Sequence, residues 1–195
     1  MKYELVILCV LLISGYFLSN LGIKPVSNFT NNNELLPIIT GTLLCDLVIA
    51  FIALCGVFTI KKTLITWYKK YRLSAIIADI FSIILGIILL RYILHLLNIK
   101  VKLFQFILLG LGLQVIHDIL FYLFFTNVKR GRNHMLDFFK DYAKEYGVKA
   151  ILGDSILVTS IIIVASLLNT RSFKFNIVSL FIGIYLIPYI IYMKD

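Results

Sequence analysis

Six apolar runs divide this chain, at about residues 5–22, 37–60, 74–97, 103–126, 149–168 and 175–193. An α-helix needs roughly 20 residues to cross ~30 Å of hydrocarbon, and these runs are of that order. Lipid offers backbone N–H and C=O groups no partner, so runs of this kind must be helical. The expectation is an all-α polytopic membrane protein. One transmembrane domain covers residues 1–195, with six spanning helices and one cytoplasmic interfacial helix, amphipathic, over about 133–146.

Composition excludes the competing classes. Of 195 residues 61% are hydrophobic and 15% charged, against about 45–50% and about 25% in soluble domains. Cys9, Cys45 and Cys55 lie inside apolar runs, without CxxC or Cys/His spacing for zinc, and read as small buried hydrophobes. The net charge of +9 is spread between loops rather than gathered on a soluble module, so nucleic acid is not expected as a partner.

The basic residues set the orientation. With the N-terminus cytoplasmic, that side holds Lys2, Lys61, Lys62, Lys69, Lys70, Arg72, Lys129, Arg130, Arg132, Lys140, Lys144, Lys149 and Lys194. The other side holds only Lys24, Lys100, Lys102, Arg171 and Lys174. Both termini are therefore expected in the cytoplasm. Glu4 spoils a positive leader region and no small-x-small cleavage site follows, so the first span reads as an uncleaved anchor. Asn28-Phe29-Thr30 is a glycosylation sequon on the expected outer loop.

Ionisable groups in hydrocarbon cost roughly 2.5–3.5 kcal/mol on insertion scales and need a partner or a purpose. Asp79, Asp118 and Asp154 fall five to eight residues from their cytoplasmic boundaries, or ~8–12 Å deep. Asp46, Arg91 and His95 sort to the outer half. On the fourth span Gly110, Gln114, His117, Asp118 and Phe121 share one side, within about 80° of arc. Ala75, Ala78, Asp79, Ser82 and Gly86 form a small-residue stripe on the third span, suited to close packing inside the bundle. Ala150, Gly153, Asp154 and Leu157 share a face of the fifth.

The expected inner polar cluster is thus Asp79, Gln114, His117, Asp118 and Asp154. It admits three readings: a hard-metal site, a proton or cation relay, or hydrogen-bonded packing. No ExxH or HExxH spacing supports the metal, and no cofactor is expected. Arg91 can pair with Asp46 or extend to outer headgroups, and nothing in the sequence shows those helices facing each other, which favours extension.

Tyr71-Arg-Leu-Ser-Ala-Ile-Ile-Ala-Asp79 aligns without gaps to Tyr146-Gly-Val-Lys-Ala-Ile-Leu-Gly-Asp154. A parallel repeat of two helical hairpins would produce this match, and so would coincidence between apolar helices. The fourth and sixth spans do not match.

Between the fourth and fifth spans, Asn133 can cap a helix that Gly147 ends, with Met135, Phe138, Phe139, Tyr142 and Tyr146 on one side. The basic run Lys129, Arg130 and Arg132 before it suits anionic headgroups. Trp67-Tyr68-Lys69-Lys70-Tyr71-Arg72 has the same aromatic–basic chemistry, and both segments read as membrane anchors. No nucleophile elbow, phosphate loop or paired His-box is present, and no catalytic residue is assigned.

The stretch from Gln114-Val-Ile-His-Asp118 through Asn133-His-Met-Leu-Asp-Phe-Phe to Ala150-Ile-Leu-Gly-Asp-Ser155 resembles multi-pass membrane proteins of giant DNA viruses. The richness in Ile, Asn and Lys fits an AT-rich genome of that kind. The resemblance implies a virion membrane or an internal host membrane, and carries over no activity. The functional expectation is a non-enzymatic membrane protein whose Asp/His cluster serves a small-solute, proton or cation pathway or membrane-structural packing. A membrane-embedded enzyme acting on lipid headgroups at the cytoplasmic face is the alternative. Partners are the bilayer and its anionic headgroups, and a homo-oligomer is compatible.

Overall fold

The structure, a computed structural model, describes residues 2–55 and 62–193. Among the described residues the chain forms eight α-helices and one 3-10 turn at Asn32–Glu34, with no strand. They are α1 (Lys2–Asn20), α2 (Leu35–Cys55), α3 (Lys62–Tyr71), α4 (Leu73–Leu96), α5 (Leu103–Asn127), α6 (His134–Tyr146), α7 (Lys149–Leu168) and α8 (Phe173–Ile191). Six of them, α1, α2, α4, α5, α7 and α8, are long and apolar enough to cross a membrane. The last five residues of the second expected span, 56–60, lie outside the described residues.

Burial ranks the six. In α2 and α7, 56% and 50% of the apolar window is buried, against at most 22% in the others. These two form the centre, where α2 packs on α7, α4 and α8, and α7 packs on α2, α5 and α1. Small residues permit their approach. A Cβ on Gly41 would stand 3.0 Å from the Ala165 nitrogen and 3.2 Å from its Cα. Backbone atoms of a packed helix cannot withdraw, so only glycine fits there.

The short helices α3 and α6 lie at one end of the bundle and pack on each other. Asn133 starts α6 by accepting hydrogen bonds from the Met135 and Leu136 amides at 2.9 and 3.1 Å. Trp67 stacks on Phe138 with ring centroids 5.0 Å apart, and Phe139 and Tyr71 close around the indole at 5.1 and 5.0 Å. The indole and the Tyr68 ring are almost wholly buried. Trp67 and Tyr68 therefore do not serve as headgroup anchors. An aromatic ring belongs at an interface only when no protein pocket is offered, and here α6 and the helix ends provide one.

The two aligned nine-residue segments adopt one local structure. Arg72 and Gly147 occupy equivalent positions, at φ 48°, ψ −120° and φ 55°, ψ −137°. Each amide bonds the carbonyl four residues back, Tyr68 at 3.0 Å and Ala143 at 2.9 Å. Each carbonyl accepts from the amide three residues on, Ala75 at 3.0 Å and Ala150 at 3.1 Å. The packing extends the likeness. Contacts of α2 with α3 and α4 are matched by those of α5 with α6 and α7, and the α2–α7 contact by α4–α5.

Candidate functional site

Beneath the α3–α6 cap each of the two units carries two carboxylates. In the first, Asp46 comes from α2 and Asp79 from α4. In the second, Asp118 comes from α5 and Asp154 from α7.

The first pair meets α3. Trp67 donates its indole N–H to Asp79 Oδ2 at 2.8 Å, and the Tyr68 hydroxyl donates to Asp46 Oδ1 at 3.5 Å. Asp79 also acts on that hydroxyl, so one phenol lies between the two acids. Burial pushes the Tyr68 phenol well above its ordinary range, and the charges of Asp46 and Asp79 push it further. Asp46 is wholly buried and its Oδ2 receives no hydrogen bond among the described residues. Sorting Asp46 to the outer group with Arg91 and His95 is therefore corrected. The α3 helix presents Trp67 and Tyr68 toward the bundle, so the two acids share a neighbour.

The second pair meets α6. Tyr142 is raised by burial and then by Asp154, Tyr146, Asp79 and Asp118 in that order. All three expected inner carboxylates thus act on one hydroxyl. Gln114 donates to Asp118 Oδ1 at 2.6 Å, and His117 Nδ1 stands 3.4 Å from the same oxygen. The His117 ring is 54% exposed and stacks on Phe121. No hydrogen bond reaches Asp154 among the described residues. Tyr142 stands twelve residues before Asp154, as Trp67 does before Asp79. No three of the described His, Cys, Asp and Glu residues gather as ligands of one ion.

Two expected packing faces are corrected. On α4, Ala75 is buried, but Ser82 is exposed and a Cβ on Gly86 would meet nothing within 4 Å. The buried side of that helix is instead Ile76, Ile87, Leu90, Arg91 and Leu94, large apolar residues around one cation. On α7, Gly153 is exposed, and Ser155, Val158, Thr159 and Ile162 are buried.

Arg91 does not extend to outer headgroups. It is 1% exposed, with its Nη2 bonded to the Asn28 carbonyl, to the Asn31 carbonyl at 3.0 Å and to Glu34 Oε2 at 3.5 Å. Glu34 also accepts the Asn28 amide at 3.0 Å, and Phe29 stacks on His95 at 5.7 Å. A guanidinium has donors enough to gather a loop's carbonyls, which a monodentate pair with Asp46 would leave unused. Sequence reasoning passed over Glu34, the lone acid between the first two spans, which was the available signal. It also passed over Tyr68 and Tyr142 as site residues, because aromatic rings beside lysines read equally well as anchors.

Asn28 is exposed, with its side-chain oxygen accepting from Thr30 Oγ1 at 2.9 Å. Lys129 and Arg132 are exposed, while Arg130 pairs with Asp141 at 2.6 Å. That bond and the positive charge hold the Asp141 carboxyl below its ordinary range. No protein-family profile matches the chain, and no curated protein and no solved structure is similar to it.

Proposed function

We propose that this is a multi-pass membrane protein, with both termini and the α3–α6 cap cytoplasmic, whose carboxylate–phenol cluster moves protons through the capped half of the bundle. The supporting observation is the pair of hydroxyls set among the acids. Tyr68 bonds Asp46 at 3.5 Å and also interacts with Asp79, and the buried Tyr142 hydroxyl feels the charges of Asp154, Asp79 and Asp118. Asp79 is common to both. A phenol both donates and accepts, so it can pass a proton between carboxylates that do not touch. Carboxylates near one another in a low dielectric do not all ionise, which leaves protons in the set to be passed. His117, with Nδ1 3.4 Å from Asp118, can take the proton on from that acid.

Lys129 and Arg132, exposed beside the cap, suit the anionic headgroups of the inner leaflet. A viral or host internal membrane is the setting that the resemblance of residues 114–155 suggests.

A second reading, membrane-structural packing, draws on Trp67. An indole only donates, so its bond fixes Asp79 in place and passes nothing on.

Proton flux into proteoliposomes separates them. The relay requires a pH gradient to collapse faster than in protein-free vesicles, with Tyr142→Phe and Asp154→Asn slowing it at least tenfold and shifting the unfolding temperature by no more than about 4 °C. Wild-type vesicles as tight as empty ones, or variants that change stability and not flux, would leave packing as the role.

A further inference from the structure

The relay occupies the capped half of the bundle, and the face of α7 beyond it carries hydroxyls. Ser155, Thr159, Ile162 and Ser166 stand at i, i+4, i+7 and i+11, so they share one face, and all four are buried. That face is turned to α5, because a Cβ on Gly110 would stand 2.7 Å from Ile162 Cδ1 and 3.8 Å from Val158 Cγ1. Ser166 lies two residues before the end of α7, so the stripe runs almost to the uncapped end of the bundle.

The hydroxyls on it are not spent alike. A hydroxyl in a buried helix ordinarily donates to the carbonyl three or four residues back. Ser155 does so, to Ile151 at 2.7 Å, and Thr42 does so on α2, to Ile38 at 2.8 Å. Thr159 and Ser166 are wholly buried, and their hydroxyls bond nothing among the described residues. A third such atom belongs to α5. Asp118 takes Gln114 on Oδ1 at 2.6 Å, while its Oδ2 is buried without a hydrogen bond among the described residues. The α5 helix runs toward the cap and α7 away from it, so the Gly110 contact puts Gln114 about one turn on the cap side of Thr159. Unsatisfied polar atoms shut away from bulk solvent are what buried water binds, with about three hydrogen bonds to each molecule.

We propose that the α5–α7 seam binds buried water at two places, one between Thr159 and the Gln114–Asp118 pair and one on Ser166, with the Ile162–Gly110 contact as an apolar gate between them. Water suits these atoms because it donates to a carboxylate and both donates to and accepts from a hydroxyl. Helix carbonyls of α7, each with a second lone pair, supply the remaining acceptors. An isoleucine pressed on the backbone of α5 interrupts a water chain, and rotation of its side-chain end restores one, as at other apolar constrictions. Use of these waters as the outer half of the proton path rests on the relay proposed above.

The test is radiolytic footprinting of the full chain in proteoliposomes with isotopically labelled water, read by mass spectrometry. Radicals form on bound water and oxidise the side chain beside it. Ile162 is expected to take up label at least tenfold faster than Ile161, which is as buried but lies one turn from Ala165 on the face toward α2. The double variant Thr159→Val, Ser166→Ala loses that excess, and Thr159→Ser, Ser166→Thr keeps it, which separates lost hydroxyls from lost packing. No excess at Ile162, or an excess that survives Thr159→Val, Ser166→Ala, overturns the water sites. Collapse of a pH gradient then tests the gate. Ile162→Ala is expected to speed it at least fivefold, and an unchanged rate, where the wild type conducts, overturns the gate. Wild-type vesicles tight to protons with Ile162 labelled would end the relay, and the gate with it, and leave the water sites standing.

Discussion

The α3–α4 and α6–α7 units use the same turn, the same twelve-residue spacing from aromatic to acid and equivalent packing partners, yet they treat their acids differently. In the first, an indole N–H at 2.8 Å fixes Asp79. In the second, the corresponding position is a tyrosine, and Asp154 receives no hydrogen bond among the described residues. A donor-only ring makes a fastener, while a ring that can also accept leaves its acid free to exchange. The comparison teaches that one local geometry can serve anchorage on one side and chemistry on the other, with a single aromatic position deciding which.

The widest separation should come from removing those two aromatics in turn. Trp67→Phe leaves a partly buried carboxylate without its donor, a loss of about 1.5–3 kcal/mol for a bond to a charged group. Tyr142→Phe should cost about 1 kcal/mol or less, since no such bond is broken. Thermal unfolding in one detergent measures both. Equal losses would erase the distinction between fastener and exchanger.

Next in size is the shared turn. Gly147→Ala should cost about 1–3 kcal/mol, because a side chain is strained at φ 55°. Arg72→Gly should gain about 1 kcal/mol, as relief at φ 48° exceeds the ~0.5–1 kcal/mol entropic cost of glycine. The guanidinium over the Tyr192 ring at 4.7 Å works against that gain. Opposite signs from the two substitutions would establish that the turns are energetically equivalent.

The smallest effect concerns pH and touches only the second unit. The Arg130 bond holds Asp141 below its ordinary range. A carboxyl lowered on folding stabilises the fold above its unfolded pKa, about 3.9, and loses that contribution as pH falls below it. Docking of α6 should therefore loosen slightly in acid. Trp67 is the one tryptophan of the chain and stacks on Phe138 of α6, so its emission reports the event. The loosening should disappear in Arg130→Gln, which lacks the pair at every pH.

The parts of this fold legible in the sequence are those that lipid dictates. Six apolar runs must be helices, and Asp79, Asp118 and Asp154 could be assigned a common level by counting residues. Asp46 was misplaced because a period of 3.6 and a residue count along one helix say nothing of an aromatic face rising from α3. The small-residue stripe on α4 failed for a related reason. Small residues permit close approach but do not compel it, and Ile76, Ile87 and Leu90 had more surface to bury. Arg91 was misread because its partners are two carbonyls of an irregular loop, and backbone carbonyls leave no mark in a sequence.

That clasp has a consequence for biogenesis. Glu34 and Arg91 lie 57 residues apart, so the guanidinium enters the bilayer only when α4 is synthesised, well after the first hairpin. Until it reaches the waiting carboxylate it is an unmatched cation in oil, with an insertion penalty of roughly 2.5–3.5 kcal/mol. The first hairpin and α4 must therefore meet before the guanidinium is matched. Docking of α4 delivers the arginine that ties down the loop before α2, so that loop is fixed by a helix made later in the chain.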